Sequence, residues 1–507
     1  MLGTAIASAT TAVAMALPLS TAIITSDSAV LRAAPREAAL QQAVLRQGEM
    51  VEVRGERLDY LQVYDHGRER AGFVRASQVR RTALAPHEAP ELLAVLRFVK
   101  DTPGQEALAM GLAAAWLKAA PAKDVQGQSG IEALDALGTV ADRLAARASG
   151  TAPATGGATS AVAAQLEVAA RYGVRFSSYE SDGRMQVCYE GDAFRRVLAM
   201  ASSPEQRARA ALALTRQECA DPALRPSERA QLDQWRAEVL ERVEVNTLPG
   251  FVKNRLLMRR ASVWSGLAYQ FARANSVRPE LVEGPSRTAT QSAAERALAD
   301  LASVSRTELP DEDQTAYNDA AMRVNASRWA AVVASTSTST NVNTAAIKTP
   351  HIVTTAGQPG ETCVLLVDGQ HSATKPLAQR CTYGLVWAQS ATANREGNAL
   401  ALAVQPMPAW RELWLFRKVG SEWTISVLPP ASTTPDTGYA EFAGWVPGGK
   451  QMLVAREARG EGKYQRSFAL ITIDTLTPER QSSDPASLGA FQRWQDPAWK
   501  RNSVSVR

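Results

Sequence analysis

Histidine and cysteine are scarce in this chain, four of each among 507 residues. No C-x-x-C occurs and no histidine stands near a cysteine at ligand spacing, which argues against a tetrahedral zinc site. The common catalytic and nucleotide signatures are missing too: there is no G-x-G-x-x-G, G-x-S-x-G, H-E-x-x-H or EF-hand loop. Charge of one sign is not concentrated. A formal +5 spread over the whole length falls short of the basic face that a nucleic-acid partner requires. What is present is ordinary globular usage, 45% apolar and 21% charged, in a chain long enough for about two to four domains.

Residues 1–26 carry no charged side chain. Their apolar core, "TTAVAMALPLSTA", leads to the small residues Ser20-Thr-Ala22 and reads as a signal peptide or N-terminal apolar segment. Pro18 and the Ser/Thr content argue against a spanning helix, which needs roughly 20 strongly apolar residues. No cysteine follows the run, so no lipoprotein anchor is expected. The cysteines fall as Cys188/Cys219 and Cys363/Cys381. In an oxidising compartment this even count reads as two local disulfides, although four cysteines allow three pairings. Export to the periplasm of a Gram-negative bacterium is the expected localisation.

From Ser28 to Arg80 short β-rich runs are punctuated by Gly. "MVEVRG" alternates, as does "YLQVY", with Leu61 and Val63 inward and Tyr60, Gln62 and Tyr64 on the opposite face. "VLRAAP", then Gly48 before a strand, an aromatic-led strand and Gly72-Phe-Val complete the order. This stretch, residues 27–82, resembles the bacterial SH3 (SH3b) domain. It departs from that family in lacking the Asn-Val-Arg opening and in placing Tyr60 where the central strand usually begins with Trp. The resemblance implies a small five-stranded barrel that recognises cell-wall peptides or other envelope partners and performs no catalysis. Tyr60, Gln62, Tyr64 and Phe73 are the candidate binding residues, because they offer flat apolar surfaces with polar handles.

Helical periodicity follows over residues 86–150, with Leu92, Val95, Leu96 and Val99 on one stripe. Residues 151–161 read as a flexible linker. The next expected domain, 162–334, is helical around a hairpin turning at Ser181-Asp-Gly183, and Ser203-Pro-Glu-Gln206 is a helix start with a capping box. Within it, "VRPELVEG" resembles the translated repetitive elements of GC-rich proteobacteria. "FVKNRLLMRRASVWSGLAYQFARA" is amphipathic, which suits a packed helix face and, less well, an anionic membrane surface. Residues 335–350 are a second linker, and 351–507 read as β-rich.

Gly444-Trp-Val-Pro-Gly-Gly-Lys450 spells the G-x-x-x-x-G-K of a phosphate loop. A phosphate cradle needs a helix after the Lys and a Ser or Thr beside it. Here Gln451 follows and "QMLVARE" alternates like a strand, so no nucleotide is expected. Trp387, Trp445 and Trp494 recur about every 50–58 residues, in the first two cases before a Gly turn and apolar strands. This pattern resembles TolB/WD40-like β-propeller blades, which implies blade-like repeats. His87-Glu88 and Asp311-Glu-Asp313 read as helix-start residues. The fold class expected is α+β multidomain: SH3-like barrel, helical middle with a hairpin, antiparallel β-domain. The function expected is non-catalytic envelope binding or scaffolding, with no cofactor and no metal, toward an envelope protein or peptidoglycan peptide. The alternatives are an envelope hydrolase with its site between the helical and β regions, and a periplasmic assembly factor. Thiol titration of the non-reduced protein is expected to find no free cysteine; four reactive thiols would contradict the pairing.

Overall fold

The computed structural model describes residues 20–150, 157–181, 184–277, 287–332, 349–432, 435–460, 462–497 and 499. Two compact units divide the chain, Met1–Pro222 and Ala223–Arg507. Their boundary falls inside the stretch 162–334 that periodicity alone joins.

The first unit opens with seven strands: β1 (Ser20–Ile24), β2 (Ser28–Arg32), β3 (Gln41–Arg46), β4 (Met50–Arg57), β5 (Tyr60–Asp65), β6 (Arg70–Arg75) and β7 (Val79–Thr82). They form one antiparallel sheet in the order β3-β2-β6-β5-β4-β1-β7. The path is open among the described residues, where the sequence resemblance implied a closed five-stranded barrel. β1 falls at the end of the stretch 1–26 that reads as an apolar segment. Ala22, Ile23 and Ile24 are fully buried, and β1 lies between β4 and β7. Its Thr21, Ile23 and Ile24 are β-branched residues suited to a half-buried pleat. Leu61 and Val63 point into the core with Leu31, Leu45, Val51 and Val74, as alternation predicts. Residues 1–19 lie outside the described ones.

Helices α1 (Ala89–Val99), α2 (Glu106–Ala119), α3 (Ala122–Val125), α4 (Gln128–Gly150) and α5 (Gly157–Arg171) follow. Leu92, Leu96 and Val99 of α1 pack with Trp116 of α2 and Val140 and Leu144 of α4. The expected linker is shorter than composition suggests, because α5 already begins at Gly157. The hairpin forms as predicted from β8 (Phe176–Ser181) and β9 (Arg184–Tyr189), with the tip residues 182–183 outside the described ones. Then come α6 (Asp192–Ala199) and α7 (Pro204–Leu214). Ser203 and Gln206 form the predicted capping box: the Gln206 amide donates to Ser203 Oγ and the Ser203 amide to Gln206 Oε1. Cys219 lies beyond α7, in a short 3-10 turn, and bridges to Cys188.

Sheet and helices of this unit meet at two glycines. Gly48, at φ +85°, lies so close to α2 that a Cβ there would stand 2.2 Å from the Ala107 carbonyl oxygen, and one on Gly111 would stand 2.5 Å from the Gly48 oxygen. Tyr172 donates its hydroxyl to that same Gly48 carbonyl.

The second unit begins with α8 (Pro226–Glu241), α9 (Gly250–Val277), α10 (Arg287–Ala302) and α11 (Gln314–Ser327). α9 is the amphipathic segment. Leu256 and Leu267 are fully buried, and two of its basic residues find protein carboxylates: Arg255 pairs with Asp313 at 2.8 Å and Arg260 with Asp300 at 3.1 Å. No described helix is long and apolar enough to cross a membrane. The insertion-like "VRPELVEG" falls almost wholly on residues outside the described ones, as do 335–348 of the expected linker.

The strands are β10 (His351–Ala356), β11 (Thr362–Val367), β12 (Ala378–Thr382), β13 (Leu385–Ala393), β14 (Ala399–Met407), β15 (Trp410–Val419), β16 (Glu422–Leu428), β17 (Thr437–Trp445), β18 (Gln451–Gly460), β19 (Lys463–Thr472) and β20 (Pro478–Ser482), before helix α12 (Gly489–Trp494). β10–β12 make a three-stranded sheet in which Cys363 and Cys381 face each other across β11 and β12 and are bonded. β13–β16 and β17–β20 are two antiparallel meanders of four strands, merged into one eight-stranded sheet by a short parallel pairing of β15 with β17. Trp387 and Trp445 stand in the first strand of each meander. Trp494 starts no third one; it ends α12. Gly444–Lys450 is a strand and a tight turn: β17 runs to Trp445, Gly448 and Gly449 take φ of +96° and +63°, and β18 starts at Gln451. No helix follows Lys450.

Gly48→Ala is expected to destabilise the first unit by about 2–3 kcal/mol or more, through left-handed backbone strain and overpacking. Chemical denaturation checks this, and an unchanged midpoint would mean the glycine contact is dispensable.

Candidate functional site

The outward face of β5 and β6 holds the residues singled out from the sequence, in altered standing. Gln62 and Phe73 are direct cross-strand partners, and Tyr64 lies opposite Ala71 on the same face. Gln62 is exposed, whereas Tyr64 and Phe73 are half-buried. Tyr60 is the exception. Expected to lie open, it is only 2% exposed, with the Arg75 guanidinium over its ring at 5.6 Å. Sequence alternation places it on the correct face but cannot show that this end is covered.

The face also carries an ion pair, Arg54 with Glu52. Arg54 lies 4.0 Å from the centroid of the Tyr64 ring, a cation–π distance, and His66 meets the same ring edge-on at 4.9 Å. Glu52 bonds to both, to Arg54 Nε at 3.1 Å and to His66 Nε2 at 2.7 Å. The Arg54 hydrogen bond, then that of His66, hold its carboxyl below the usual range. A guanidinium, an aromatic plane and an exposed amide thus adjoin one another.

The other readings of polar motifs have plain structural answers. Glu88 caps the entry to α1, accepting from Thr82 Oγ1 at 2.7 Å and from the Ala83 and Ala85 amides. Asp313 and Glu312 bind Arg255. His371 bonds to Asp368 at 2.8 Å. Among the described residues one grouping places metal-ligating atoms together, Glu361 with Cys363 and Cys381, and its two sulfurs are joined to each other.

A second site lies in the second unit, and sequence reasoning missed it. Glu441 on β17 is 2% exposed and sits between Arg328, just past α11, and Arg411 on β15, which are 5% and 0% exposed. One carboxylate oxygen, Glu441 Oε2, accepts from Arg328 Nε at 3.0 Å and from Arg411 Nη2. Burial opposes ionisation of Glu441, yet Arg328 and Arg411 outweigh it and hold the carboxyl below its usual range. Burial pushes Arg411 down to about 10, against the raising pull of Glu441, so it stays protonated at neutral pH. Beside this triad is a cavity of about 50 Å³ bordered by Arg328, Trp329, Ser390, Glu441, Asp496 and Trp499. The signal missed was the charged residue inside an apolar strand: Glu441 in "YAEFA" and Arg411 after Trp410.

Comparison with protein-family models, with curated proteins and with solved structures finds no match.

Glu441→Gln is expected to cost about 3–5 kcal/mol, since it leaves two buried guanidinium groups without a counter-charge. The sign with pH follows. A glutamate held below its ordinary value of 4.5 stabilises the fold above that value, and this contribution is lost as pH falls through the folded-state pKa. Denaturation midpoints measured across pH should show that acid limb in the parent and a flatter one in the variant.

Proposed function

We propose that this chain is a non-catalytic binding protein of the cell envelope, exported to the periplasm. In this reading its N-terminal sheet is an SH3b-like module that holds a peptide, including the peptide of peptidoglycan. The observation that carries the proposal is the β5–β6 face: exposed Gln62 paired with Phe73, beside Tyr64 under the Arg54 guanidinium. The amide serves a peptide backbone and the rings serve apolar side chains, while Arg54, paired with Glu52, lies over the Tyr64 ring. Two disulfides, Cys188–Cys219 and Cys363–Cys381, support an oxidising compartment. Because Ser20–Ile24 is a core strand, a leader compatible with this fold is cut before Ser20 and not after Ala22.

The two four-stranded meanders are read as blade-like repeats of the propeller kind, each begun by a strand bearing tryptophan. Glu441, held ionised between two arginines, suits a structural or anion-positioning role better than proton transfer.

The test is retention of the disulfide-intact protein on purified peptidoglycan and on envelope extract. Gln62→Ala with Phe73→Ala, and Arg54→Ala separately, are each expected to reduce retention at least about tenfold, the loss of one or two good contacts. Tyr60 is unsuitable as a probe because it is buried. Unchanged retention in both variants would dismiss this face as the binding surface.

A further inference from the structure

One pair of sulfurs in the second unit lies beside a carboxylate. Among the described residues, the ligand atoms of Glu361, Cys363 and Cys381 all lie within 4.8 Å of one another, and the Cys188–Cys219 disulfide belongs to no such grouping. Cys363 on β11 and Cys381 on β12 are direct cross-strand partners in an antiparallel ladder. Their meeting is set by backbone pairing, which keeps opposed Cβ atoms about 4.5–5.5 Å apart whether or not the sulfurs are bonded. Val364 and Leu366, fully buried on the other face of β11 with Leu400, Leu402 and Trp414, anchor the same ladder.

The carboxylate is held by the turn between β10 and β11. The Gly357 amide donates to the Glu361 carbonyl at 3.1 Å and the Glu361 amide to the Gln358 carbonyl at 2.8 Å. The Gln358 amide also donates to Glu361 Oε2 at 3.0 Å. A Cβ on Gly357 would stand 2.5 Å from that oxygen and 2.9 Å from Cys363 Sγ, so a glycine leaves oxygen and sulfur open to each other. On the far side Gln379 donates Nε2 to Cys381 Sγ at 3.6 Å, a contact that favours a thiolate over a thiol. Two thiolates and a carboxylate are zinc ligands, and a tetrahedral ion with three of them keeps a fourth position for water. Bonds of about 2.3 Å place two ligating sulfurs about 3.8 Å apart, which suits a cross-strand pair. A separation of 18 residues matches no local ligand motif, so spacing along the chain pointed away from metal.

We propose that Cys363, Cys381 and Glu361 form a redox-gated zinc site, closed as the disulfide and open as the dithiol. In the closed form the two sulfurs are bonded to each other, and no thiolate is available to a metal. A dithiol reductant opens it. One reductant thiolate attacks a sulfur and breaks the S–S bond; its second thiolate resolves the mixed disulfide, leaving two thiols here and a disulfide on the reductant. Zinc then displaces one proton from each thiol and takes the Glu361 carboxylate as third ligand. Cys381 is half-buried on β12, the last strand of its sheet path, where a reductant has access. The site is independent of the peptide-binding face on the N-terminal sheet.

The experiment uses the full chain, reduced with a phosphine and kept from oxygen, titrated with cobalt(II) and then with zinc(II). The absorption of tetrahedral thiolate-bound cobalt is expected to saturate at one ion per chain, to vanish as zinc displaces it, and to be absent from the disulfide form. Reduction also opens Cys188–Cys219, so the Cys363→Ser/Cys381→Ser double variant, which should lose the absorption, carries the assignment. Glu361→Gln, in an exposed turn, should weaken zinc at least about tenfold in competition with a chromophoric chelator. The proposal is overturned by no cobalt absorption in the reduced chain, by equal absorption in the double serine variant, by unchanged zinc affinity in Glu361→Gln, or by equal binding to the disulfide form. Loss of the β-sheet circular dichroism on reduction overturns it as well, because the ladder must outlast the disulfide.

Discussion

One carboxylate gripped by two arginines recurs where helices meet their neighbours in both units, and the packing depends on it. In the first unit Glu106, fully buried at the start of α2, binds Arg143 at 2.9 Å and Arg147, both from α4. Glu49 and Asp65, each buried in the N-terminal sheet region, share Arg68, and Arg171 of α5 approaches both. In the second unit Glu441 stands between Arg328 and Arg411. Taking such charges out of water costs several kcal/mol per ion, recovered only when geometry and added hydrogen bonds are good. Removing one member therefore damages the fold more than the pair, taken as a whole, stabilises it. What these clamps provide is position: a guanidinium fork accepts a carboxylate in few orientations, so each fixes the register of a helix against its neighbour.

That constraint links architecture to function. On the N-terminal sheet, β5 and β6 keep Gln62, Tyr64 and Phe73 on one face because Leu61, Val63 and Val74 fill the other. The sheet is in turn held against α2 through Gly48 and Gly111, where only hydrogen fits between the backbones. In the second unit the Arg–Glu–Arg clamp seats the segment after α11 on the sheet.

Much of the element pattern was legible along the chain. Alternation in "YLQVY" predicts which residues of β5 enter the core, the Ser203–Gln206 box marks the start of α7, and Gln451 after Lys450 already rules for a strand. Paired spacing indicated both disulfides. Three features were not legible. β1 looked like a leader because Ser20–Ile24 has the composition of either; only pairing to β4 and β7 distinguishes them. Tyr60 shares a period with exposed Gln62, yet its end of the strand is covered. Trp494 continues the tryptophan spacing, but α12 occupies the place of a third meander.

Sequence by itself determined what nearest neighbours control: strand and helix identity, caps, tight glycine turns and the absence of a phosphate-binding helix. These follow from backbone sterics and local hydrophobic period, which act over a few residues. Tertiary structure alone decided which charges are buried and what they face. Glu441 and Arg328 lie 113 positions apart, and no local pattern encodes their meeting. Burial depends on the summed packing of distant segments, and a polar group's chemistry depends on that burial.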